Sequence, residues 1–319
     1  MRFGDIGLSA RITFWALLLV VAGGLLWMNK DLENDREGYL RERSADLKMD
    51  IHLEQARLAE SIGSLRQDVL FLASLPSVSG IVRASANNGV DPRDKSTYAE
   101  WEARLQDILA AFLRAHPEYC QASYIGAAGE GRELVRVESR DGHVVVAPHD
   151  ALKARGDRDY FKAGLMLTAG RVYLSEFAPD GEPEGKQGPQ RLVLHAVTTV
   201  FDANGRVFGM VVIDKNASSL FASVSEGLPP DVRSYVADQF GHFLFRPGAG
   251  RAAASEPALK DTIAEEFLSL KPMLEPRIGH EEPPSGRQAT APADISRQNA
   301  CTSMPAILPG SCCCSVISR

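Results

Sequence analysis

Cysteine is scarce in the part of the sequence before position 300. Only Cys120 precedes position 300, and the other cysteines are Cys301 and the run Cys312–Cys314. A lone cysteine excludes an internal disulfide from the part of the chain before Cys301. The late cysteines form no pair of C-x-x-C motifs, and adjacent cysteines do not easily share one tetrahedral zinc ion. We therefore predict neither a disulfide framework nor a metal site.

Aromatic residues are absent from the C-terminal stretch 271–319, which also holds seven of the 18 prolines. A segment of this composition buries too little apolar surface to offset the conformational entropy that ordering it would cost. We therefore predict that 271–319 is disordered and contributes no strand, and that the core lies within the first 270 residues.

An excess of basic residues is also missing. The chain has 35 lysines and arginines against 41 aspartates and glutamates, with a formal net charge of −6. Nucleic-acid-binding domains usually carry a basic face, so this balance predicts no nucleic acid partner.

Signatures of catalysis are missing as well. The seven histidines include no pair at helical metal-binding spacing, there is no G-x-S-x-G elbow, and Gly181–Lys186 is one residue short of a P-loop. His195 falls within a predicted strand, which favours a packed or site-lining role over that of a base. We expect no enzymatic activity and no cofactor.

Charge is absent from Ile12–Met28, an apolar run that extends towards Leu8 through Arg11. A helix needs about 20 residues to cross ~30 Å of hydrocarbon. The run can therefore span a membrane if the side chain of Arg11 reaches the membrane–water interface. We predict a transmembrane anchor at 12–28, with residues 1–11 in the cytoplasm because Arg2 and Arg11 precede the span. The alternative is a cleaved signal peptide, for which Ala22–Gly24 is a poor cleavage site.

Residues 29–75 have the pattern of one long helix that ends before Pro76. Among many charged residues, apolar side chains recur mostly at spacings of three, four or seven, at Leu40, Leu47, Ile51, Leu58, Ile62, Leu65, Val69 and Leu72. So narrow a stripe is typical of a seam that packs on one partner, which predicts a homodimer formed through this helix. The alternative is that the stripe packs on its own domain. The dimer contact and the contact with its own domain can also both occur, at different positions along the helix.

Residues 76–225 alternate helix and strand signals. Helical spacing predicts a helix over Tyr98–Ala115, and the glycine-rich segment Gly126–Gly131 is interpreted as a hairpin turn. The segment Asp202–Gly205 is a second hairpin signal. The predicted strands are Gln121–Ile125, Glu133–Glu138, His143–Ala147, Arg171–Phe177, Arg191–Phe201 and Arg206–Asp214. Consecutive strands joined by hairpins, with helices before and between them, predict an antiparallel sheet in an α+β domain.

Three segments carry a family resemblance: Leu152–Phe161 (LKARGDRDYF), Val172–Glu176 (VYLSE), and Val200–Asp214 with its two spaced glycines. Together they resemble the membrane-distal module of double Cache sensor domains, the PAS-like extracytoplasmic regions of bacterial histidine kinases, diguanylate cyclases and chemoreceptors. The stretch from Gln121 to Val137 resembles the branch found on histidine kinases and diguanylate cyclases. The stretch Tyr235–Pro247 is similar to the first hairpin of the membrane-proximal module.

The resemblance covers about residues 30–250 and implies the overall organisation. A transmembrane helix and a long helix lead into a PAS-like (Cache) antiparallel sheet domain over 76–225, and an incomplete second PAS-like module follows over 226–270. In that second module we expect little beyond two strands and a helix, at Arg233–Asp238, Gly241–Arg246 and Ala252–Leu270.

The resemblance also implies a function. The chain is expected to be the ligand-sensing input region of a bacterial receptor of the histidine kinase or diguanylate cyclase type, ending before its output domain. It would cross the inner membrane once and hold its sensor domain in the periplasm or outside the cell. The alternative is a membrane-anchored extracytoplasmic scaffold or an enzyme with an unrecognised site.

A ligand site above the distal sheet is implied in the same way. In amino-acid-binding relatives an arginine and aromatic residues hold the carboxylate, and acidic residues hold the amine. The candidate ligand-binding residues are Arg158, Tyr160, Phe161, Tyr173, Ser175, His195 and Asp214.

Two of these candidates depart from the amino-acid-binding pattern. Phe161 lacks a hydroxyl, and Ser175 stands where those relatives have an acidic residue. The expected ligand is therefore a small anionic or carboxylate-bearing molecule. The alternative is structural: Arg158 pairs with Asp157 or Asp214, and Tyr160 and Phe161 belong to the core.

Overall fold

The computed structural model describes residues 8–140, 142–179, 192–225, 228, 233–237, 243–245, 299–303 and 314–318. The chain divides into two units, Met1–Asp50 and Ile51–Arg319. The predicted helix Ala252–Leu270 and the segment Gly181–Lys186 lie outside the described residues.

The first unit is helical from Leu8 onwards, as part of helix α1 (Leu8–Ala73), which confirms the predicted long helix. Large apolar side chains in this unit are exposed, among them Trp15 (65%), Leu19 (72%) and Trp27 (71%). Within the described part of the chain, no single helix meets the length and hydropathy requirements for spanning a membrane. The segments His52–Ala73 and Pro76–Ala86 meet them only as a pair bent by 40°.

In the second unit, the apolar stripe of α1 packs on its own domain. Leu58, Ile62, Leu65, Val69 and Leu72 are each at most 2% exposed and belong to one hydrophobic core. The predicted intermolecular seam is therefore wrong for these residues, because the domain itself covers them. The side chains of the other stripe residues, Leu40, Leu47 and Ile51, lie outside the described ones.

Two further helices cover the same core. Helix α2 (Pro76–Ala86) was not predicted: Pro76 ends α1 and also starts α2 at the first helical position, where a missing N–H costs nothing. Helix α3 (Tyr98–Ala115) has its predicted bounds. It starts with a capping box, in which Thr97 Oγ accepts from the Glu100 N–H at 3.2 Å and the Glu100 carboxylate accepts from the Thr97 N–H at 2.7 Å.

The main sheet is antiparallel, which confirms the predicted α+β domain. Its order is β3-β2-β1-β7-β6-β4, with β5 also paired to β6. Helices α4 (Asp159–Leu165) and α5 (Ala217–Ser225) complete this part of the chain. The strands are β1 (Tyr119–Gly126), β2 (Glu133–Arg140), β3 (His143–Val146), β4 (Val172–Leu174), β5 (Ala178–Pro179), β6 (Leu192–Phe201) and β7 (Val207–Asn216).

The two faces of this sheet pack against different helices. Val211 and Ile213 of β7 belong to the large core that also contains residues of α1, α2 and α3. Met210 and Val212 belong to a smaller cluster with Ile125, Val197 and Phe161 of α4. Because side chains alternate along a strand, Asp214 continues the α4 face, and the next residue of β7 continues the α1 face.

A second sheet has the order β10-β11-β8-β9. The strands β8 (Arg233–Ala237) and β9 (Phe243–Phe245) confirm the predicted hairpin. The prediction that 271–319 is disordered and adds no strand is wrong at β10 (Asn299–Ser303) and β11 (Cys314–Ser318). An average over the tail hid two short segments with β-branched residues, and β11 supplies ladder partners along the whole of β8.

One ion pair near α3 predicts how stability depends on pH. Arg83 Nη2 lies 2.6 Å from Asp91 Oδ2, and this hydrogen bond lowers the pKa of Asp91 to about 2. A lowered pKa in the folded state adds stability above the unfolded value of about 4, and that stability is lost as the pH falls towards 2. We expect Asp91→Asn to be less stable at pH 7 and to lose less stability than wild type between pH 4 and 2. Urea unfolding midpoints measured across this pH range test the prediction. If the midpoints of wild type and Asp91→Asn fell equally between pH 4 and 2, the prediction would be contradicted.

Candidate ligand-binding site

Helix α4 brings three of the candidate residues to the sheet. Arg158 is the residue that precedes its first turn, with extended backbone angles, and Tyr160 and Phe161 follow within that turn. Phe161 is 4% exposed and belongs to the small cluster, whereas Tyr160 is half-buried and packs against this cluster from outside. Phe161 is therefore a core residue that holds α4 on the sheet, as the structural alternative predicted.

The guanidinium of Arg158 remains partly accessible. Its side chain is 29% exposed, and its Nε lies 4.0 Å from Oδ1 of Asp157, whose side chain is 75% exposed. Asp157 is one of the two partners considered from sequence, and it faces solvent. An ion pair this exposed is worth about 0–1 kcal/mol.

Asp214 is paired with His195 across two neighbouring strands. The two residues are register partners on β7 and β6, and His195 Nδ1 lies 2.6 Å from Asp214 Oδ1. Gln121, the register partner of Asp214 on β1, donates from Nε2 to Asp214 Oδ2 at 3.1 Å. The Asp214 side chain is 4% exposed and that of His195 is 14% exposed. Gln121, Asp214 and His195 thus form a polar row across three adjacent strands.

Ser175 lies at the other end of this row. Its backbone N–H donates to the carbonyl of His195 at 2.9 Å. Its hydroxyl accepts from the His195 N–H at 3.0 Å and donates to the carbonyl of Glu176 at 2.6 Å. The hydroxyl is therefore engaged by two backbone groups, and it ties the chain after β4 to β6.

Two phenols pack against the small cluster beside this row. The ring of Tyr160 lies over the imidazole of His195, with the centroids 4.5 Å apart and the planes inclined by 38°. Burial raises the pKa of Tyr160, and the negative charge of Asp214 raises it further. Burial also raises the pKa of Tyr173, with a contribution from Glu176. Both phenols therefore keep their protons at neutral pH and can donate hydrogen bonds.

A buried charge network beside the row was missed from sequence. Glu133, at the start of β2, has a fully buried carboxylate that accepts from Arg155 Nε at 2.7 Å and from Arg136 Nη1 at 3.1 Å. Burial opposes the charge of Arg155, but the nearby Glu133, Tyr160 and Asp214 leave its pKa raised overall. Arg155 therefore stays charged within electrostatic reach of the polar row.

Signals for these missed residues were present in the sequence. Arg155 lies within the resembling segment Leu152–Phe161, and Gln121, Glu133 and Arg136 lie within the stretch from Gln121 to Val137. The sequence does not show how these residues pair, because Glu133 meets Arg155, which lies 22 residues further along the chain, beyond strand β3. Within the described ranges, no three His, Cys, Asp or Glu side chains are grouped so that they could hold a metal ion.

The fold is that of extracellular sensory domains. The domain of a sensory box/GGDEF family protein from Vibrio parahaemolyticus superposes with a TM-score of 0.58 at 13% identity, covering 84% of this chain and 94% of that chain. The extracellular domain of the histidine kinase vpHK1S-Z8 superposes with a TM-score of 0.59 at 13% identity, over 84% and 89% of the two chains.

A chemoreceptor domain shares this fold. The ligand-binding domain of the Campylobacter jejuni chemoreceptor Tlp3, solved in complex with L-valine, has a TM-score of 0.51 at 12% identity and covers 85% of this chain and 89% of that chain. No protein-family model matches the sequence, and no significant match was found among curated proteins. These likenesses confirm the fold implied by the family resemblance.

Proposed function

We propose that this chain is the extracytoplasmic ligand-sensing input region of a membrane-anchored bacterial receptor, and that it binds without catalysing a reaction. The observation that carries the proposal is the polar row of Gln121, Asp214 and His195 beneath α4. Burying a carboxylate costs free energy, so a hydrogen-bonded row of polar side chains next to the apolar cluster on this sheet face is typical of a functional site. The likeness in fold to sensory domains supports the same role.

The proposed ligand is a small anionic or carboxylate-bearing molecule. Arg158 supplies a partly exposed guanidinium next to Tyr160, and a guanidinium offers two parallel donors to a carboxylate. Tyr160 and Tyr173 supply aromatic walls with protonated phenols. Arg155, held in place by Glu133, adds positive charge behind them.

The proposed signal leaves the site through β7. Asp214 belongs to the site, and the next residue, Lys215, is buried on the opposite face of the sheet. Lys215 Nζ donates to Ser61 Oγ of α1 at 2.7 Å and lies 5.1 Å from the ring centroid of Tyr119. The hydroxyl of Tyr119 donates to Asp68, also on α1. A ligand that displaces β7 would therefore act directly on α1.

We further propose that Ile12–Met28 anchors the chain in the inner membrane in a single pass, with residues 1–11 in the cytoplasm and the sensor domain in the periplasm. The exposed apolar side chains of Trp15, Leu19 and Trp27 support an apolar surrounding for this segment. The proposed homodimer forms through the exposed side of α1, where Leu53 and Phe71 are 49% and 57% exposed.

Removing the guanidinium tests the proposed function. We expect Arg158→Ala to weaken the binding of a carboxylate ligand about tenfold to a hundredfold, since a charge-assisted contact is worth about 1.5–3 kcal/mol. Thermal-shift screening of the full chain in detergent against organic acids, amino acids and amines identifies the ligand. Calorimetric titration then measures the change in Kd.

Arg206→Ala is the matched control, because Arg206 has a 77% exposed side chain on the hairpin between β6 and β7 and should leave Kd unchanged. Stabilisation by a cationic amine that persists in Arg158→Ala would contradict the proposed anion site.

A further inference from the structure

Helix α5 continues strand β7 without an intervening loop. Strand β7 ends at Asn216, and α5 begins at Ala217. The side chain of Asn216 accepts a hydrogen bond from the Ser218 N–H at 2.8 Å, which is the contact that an N-cap residue makes. Asp214 of the polar row lies on the same strand, two residues before Asn216. A displacement of β7 at the site therefore moves the start of α5.

Helix α5 contacts both the main sheet and the second sheet. It packs on β6 and β7 of the main sheet and on β8 and β9 of the second sheet. Its residues Ala217, Leu220 and Phe221 are each at most 1% exposed and belong to the large hydrophobic core. Val236 of β8 and Leu244 of β9 belong to the same core. The two sheets therefore share this core with α5.

The ring of Phe221 contacts a ring from each sheet. Its centroid lies 5.2 Å from that of Phe177, with the planes inclined by 50°. It lies 6.0 Å from the centroid of Phe245, with the planes inclined by 46°. Tilted aromatic pairs at such distances are favourable beyond the area that they bury. Phe177 lies between β4 and β5 of the main sheet, and Phe245 is the last residue of β9.

The ring of Phe177 is connected to the ligand site. Phe177 follows Ser175 by two residues. Ser175 binds the backbone of His195 on β6 twice, because its N–H donates to the His195 carbonyl and its hydroxyl accepts from the His195 N–H. Helix α5 is thus joined to the site through β7, which carries Asp214, and through Phe177.

Resting on the proposed ligand-sensing function, we propose that α5 is a joint between the ligand site and the second sheet, and that the ring of Phe221 makes the connection. An ordered site restrains Phe177 and the start of α5. Because Phe221 packs against Phe177 and Phe245 at once, it restrains β9 as well. A loosened site lets β8 and β9 open more often, and ligand binding lets them open less often.

Another connection between the site and the second sheet includes α1. Lys215 Nζ, next to Asp214 on β7, donates to Ser61 Oγ at 2.7 Å. Two turns earlier on α1, Glu54 Oε2 accepts from Ser234 Oγ of β8 at 3.1 Å. A variant of Phe221 changes neither of these two contacts, so it separates the connection through α5 from the connection through α1.

Amide hydrogen exchange of the full chain in detergent tests the joint without a ligand. Ser175→Ala removes the hydroxyl that accepts from the His195 N–H, and so loosens the chain that carries Phe177. We expect it to speed exchange in 233–237 and 243–245 about tenfold through more frequent local opening. Helix α3, which packs on α2 and on β1 to β3, is the internal reference and should change less than about twofold.

A second substitution shows whether Phe221 makes the connection. Phe221→Leu keeps an apolar side chain in the core but removes the ring, so Ser175→Ala should then speed exchange in β8 and β9 by less than about twofold. Phe208→Leu is the matched control, because it removes a half-buried ring of β7 that packs on Tyr124 instead, and it should retain the tenfold effect. If Phe221→Leu does not fold, Phe245→Leu removes the half-buried partner ring and gives the same comparison.

The outcomes distinguish this inference from the proposed function. If Ser175→Ala leaves exchange in β8 and β9 unchanged, or speeds exchange in α3 equally, the site is not joined to the second sheet and the inference is overturned. If the tenfold effect persists without the ring of Phe221, the connection through α1 carries it and the role of α5 is overturned. Because no ligand enters these measurements, they can fail while Arg158→Ala still weakens ligand binding, and the sensor function then stands without the joint.

Discussion

Replacing Glu133 by alanine is expected to lower the free energy of unfolding by about 3–5 kcal/mol, the cost of breaking a buried ion pair from one side. The carboxylate is fully buried and accepts from Arg155 Nε at 2.7 Å, from Arg136 Nη1 at 3.1 Å and from the Lys153 N–H at 3.0 Å. Its removal leaves two guanidiniums, 13% and 7% exposed, without this partner. Urea unfolding of the full chain, followed by circular dichroism, measures the loss.

The same network contains its own control. Arg140 Nε lies 2.6 Å from Glu138 Oε2, but the Arg140 side chain is 69% exposed. Arg140→Ala is expected to change the free energy of unfolding by less than about 1 kcal/mol, because water already solvates this end of the network. A loss of under about 1 kcal/mol for Glu133→Ala would show that the arginines find other partners, and the account of the buried charges would be wrong.

Glu133 also matters for the site. It holds Arg155, whose charge acts on Tyr160 and Asp214. If Glu133→Gln retains the fold, Arg155 loses its compensating charge, and the positive potential around the polar row increases. This variant therefore separates the structural role of the network from its electrostatic role in the site.

Local signals in the sequence were sufficient for much of the fold. The bounds of α3 were predicted from helical spacing, and in the structure the helix starts at the capping box of Thr97 and Glu100. Strands β6 and β7 follow from apolar runs separated by the turn signal at Asp202–Gly205. The antiparallel pairing of β1 with β2, of β2 with β3 and of β6 with β7 then follows from short connections, which do not allow parallel neighbours.

The errors have physical causes. Pro76 is a stop signal for one helix and a start signal for the next, so α2 was missed. Strand β10 pairs with β11, and β11 pairs with β8, a non-local contact that composition cannot reveal. The stripe from Leu58 to Leu72 looks the same whether it packs on a second chain or on its own sheet, and only the fold decides between them.

The site was predictable by residue type but not by pairing. Tyr160 and Phe161 are adjacent on α4, so their side chains leave the helix about 100° apart, and only Phe161 enters the small cluster. Asp214 meets His195 and Gln121 because of the strand register. A shift of the register by one residue would change every such pair. The resemblance supplied the residues, and the register determined which of them meet.

The register at the centre of the sheet depends on a glycine of the family-like segment, and Gly209→Ala is expected to cost about 3 kcal/mol of stability. A Cβ at Gly209 would lie 2.4 Å from the carbonyl oxygen of Ile125, a backbone atom of β1 that cannot rotate away. Overpacking in a dense core costs about 1–3 kcal/mol, and a clash with the backbone belongs at the upper end. Strand β1 would have to separate from β7.

Gly126, the register partner of Gly209 on β1, is the matched control. A Cβ there would have its nearest neighbour at 3.5 Å, a side-chain atom of Leu134, so Gly126→Ala should cost less than about 1 kcal/mol. Because β1 carries Gln121 and β7 carries Asp214, separating these strands also breaks a hydrogen bond of the polar row. We therefore expect Gly209→Ala to lower both the urea midpoint and the affinity for the ligand, and Gly126→Ala to lower neither. Equal effects of the two variants would show that the close approach at Gly209 does not set the register.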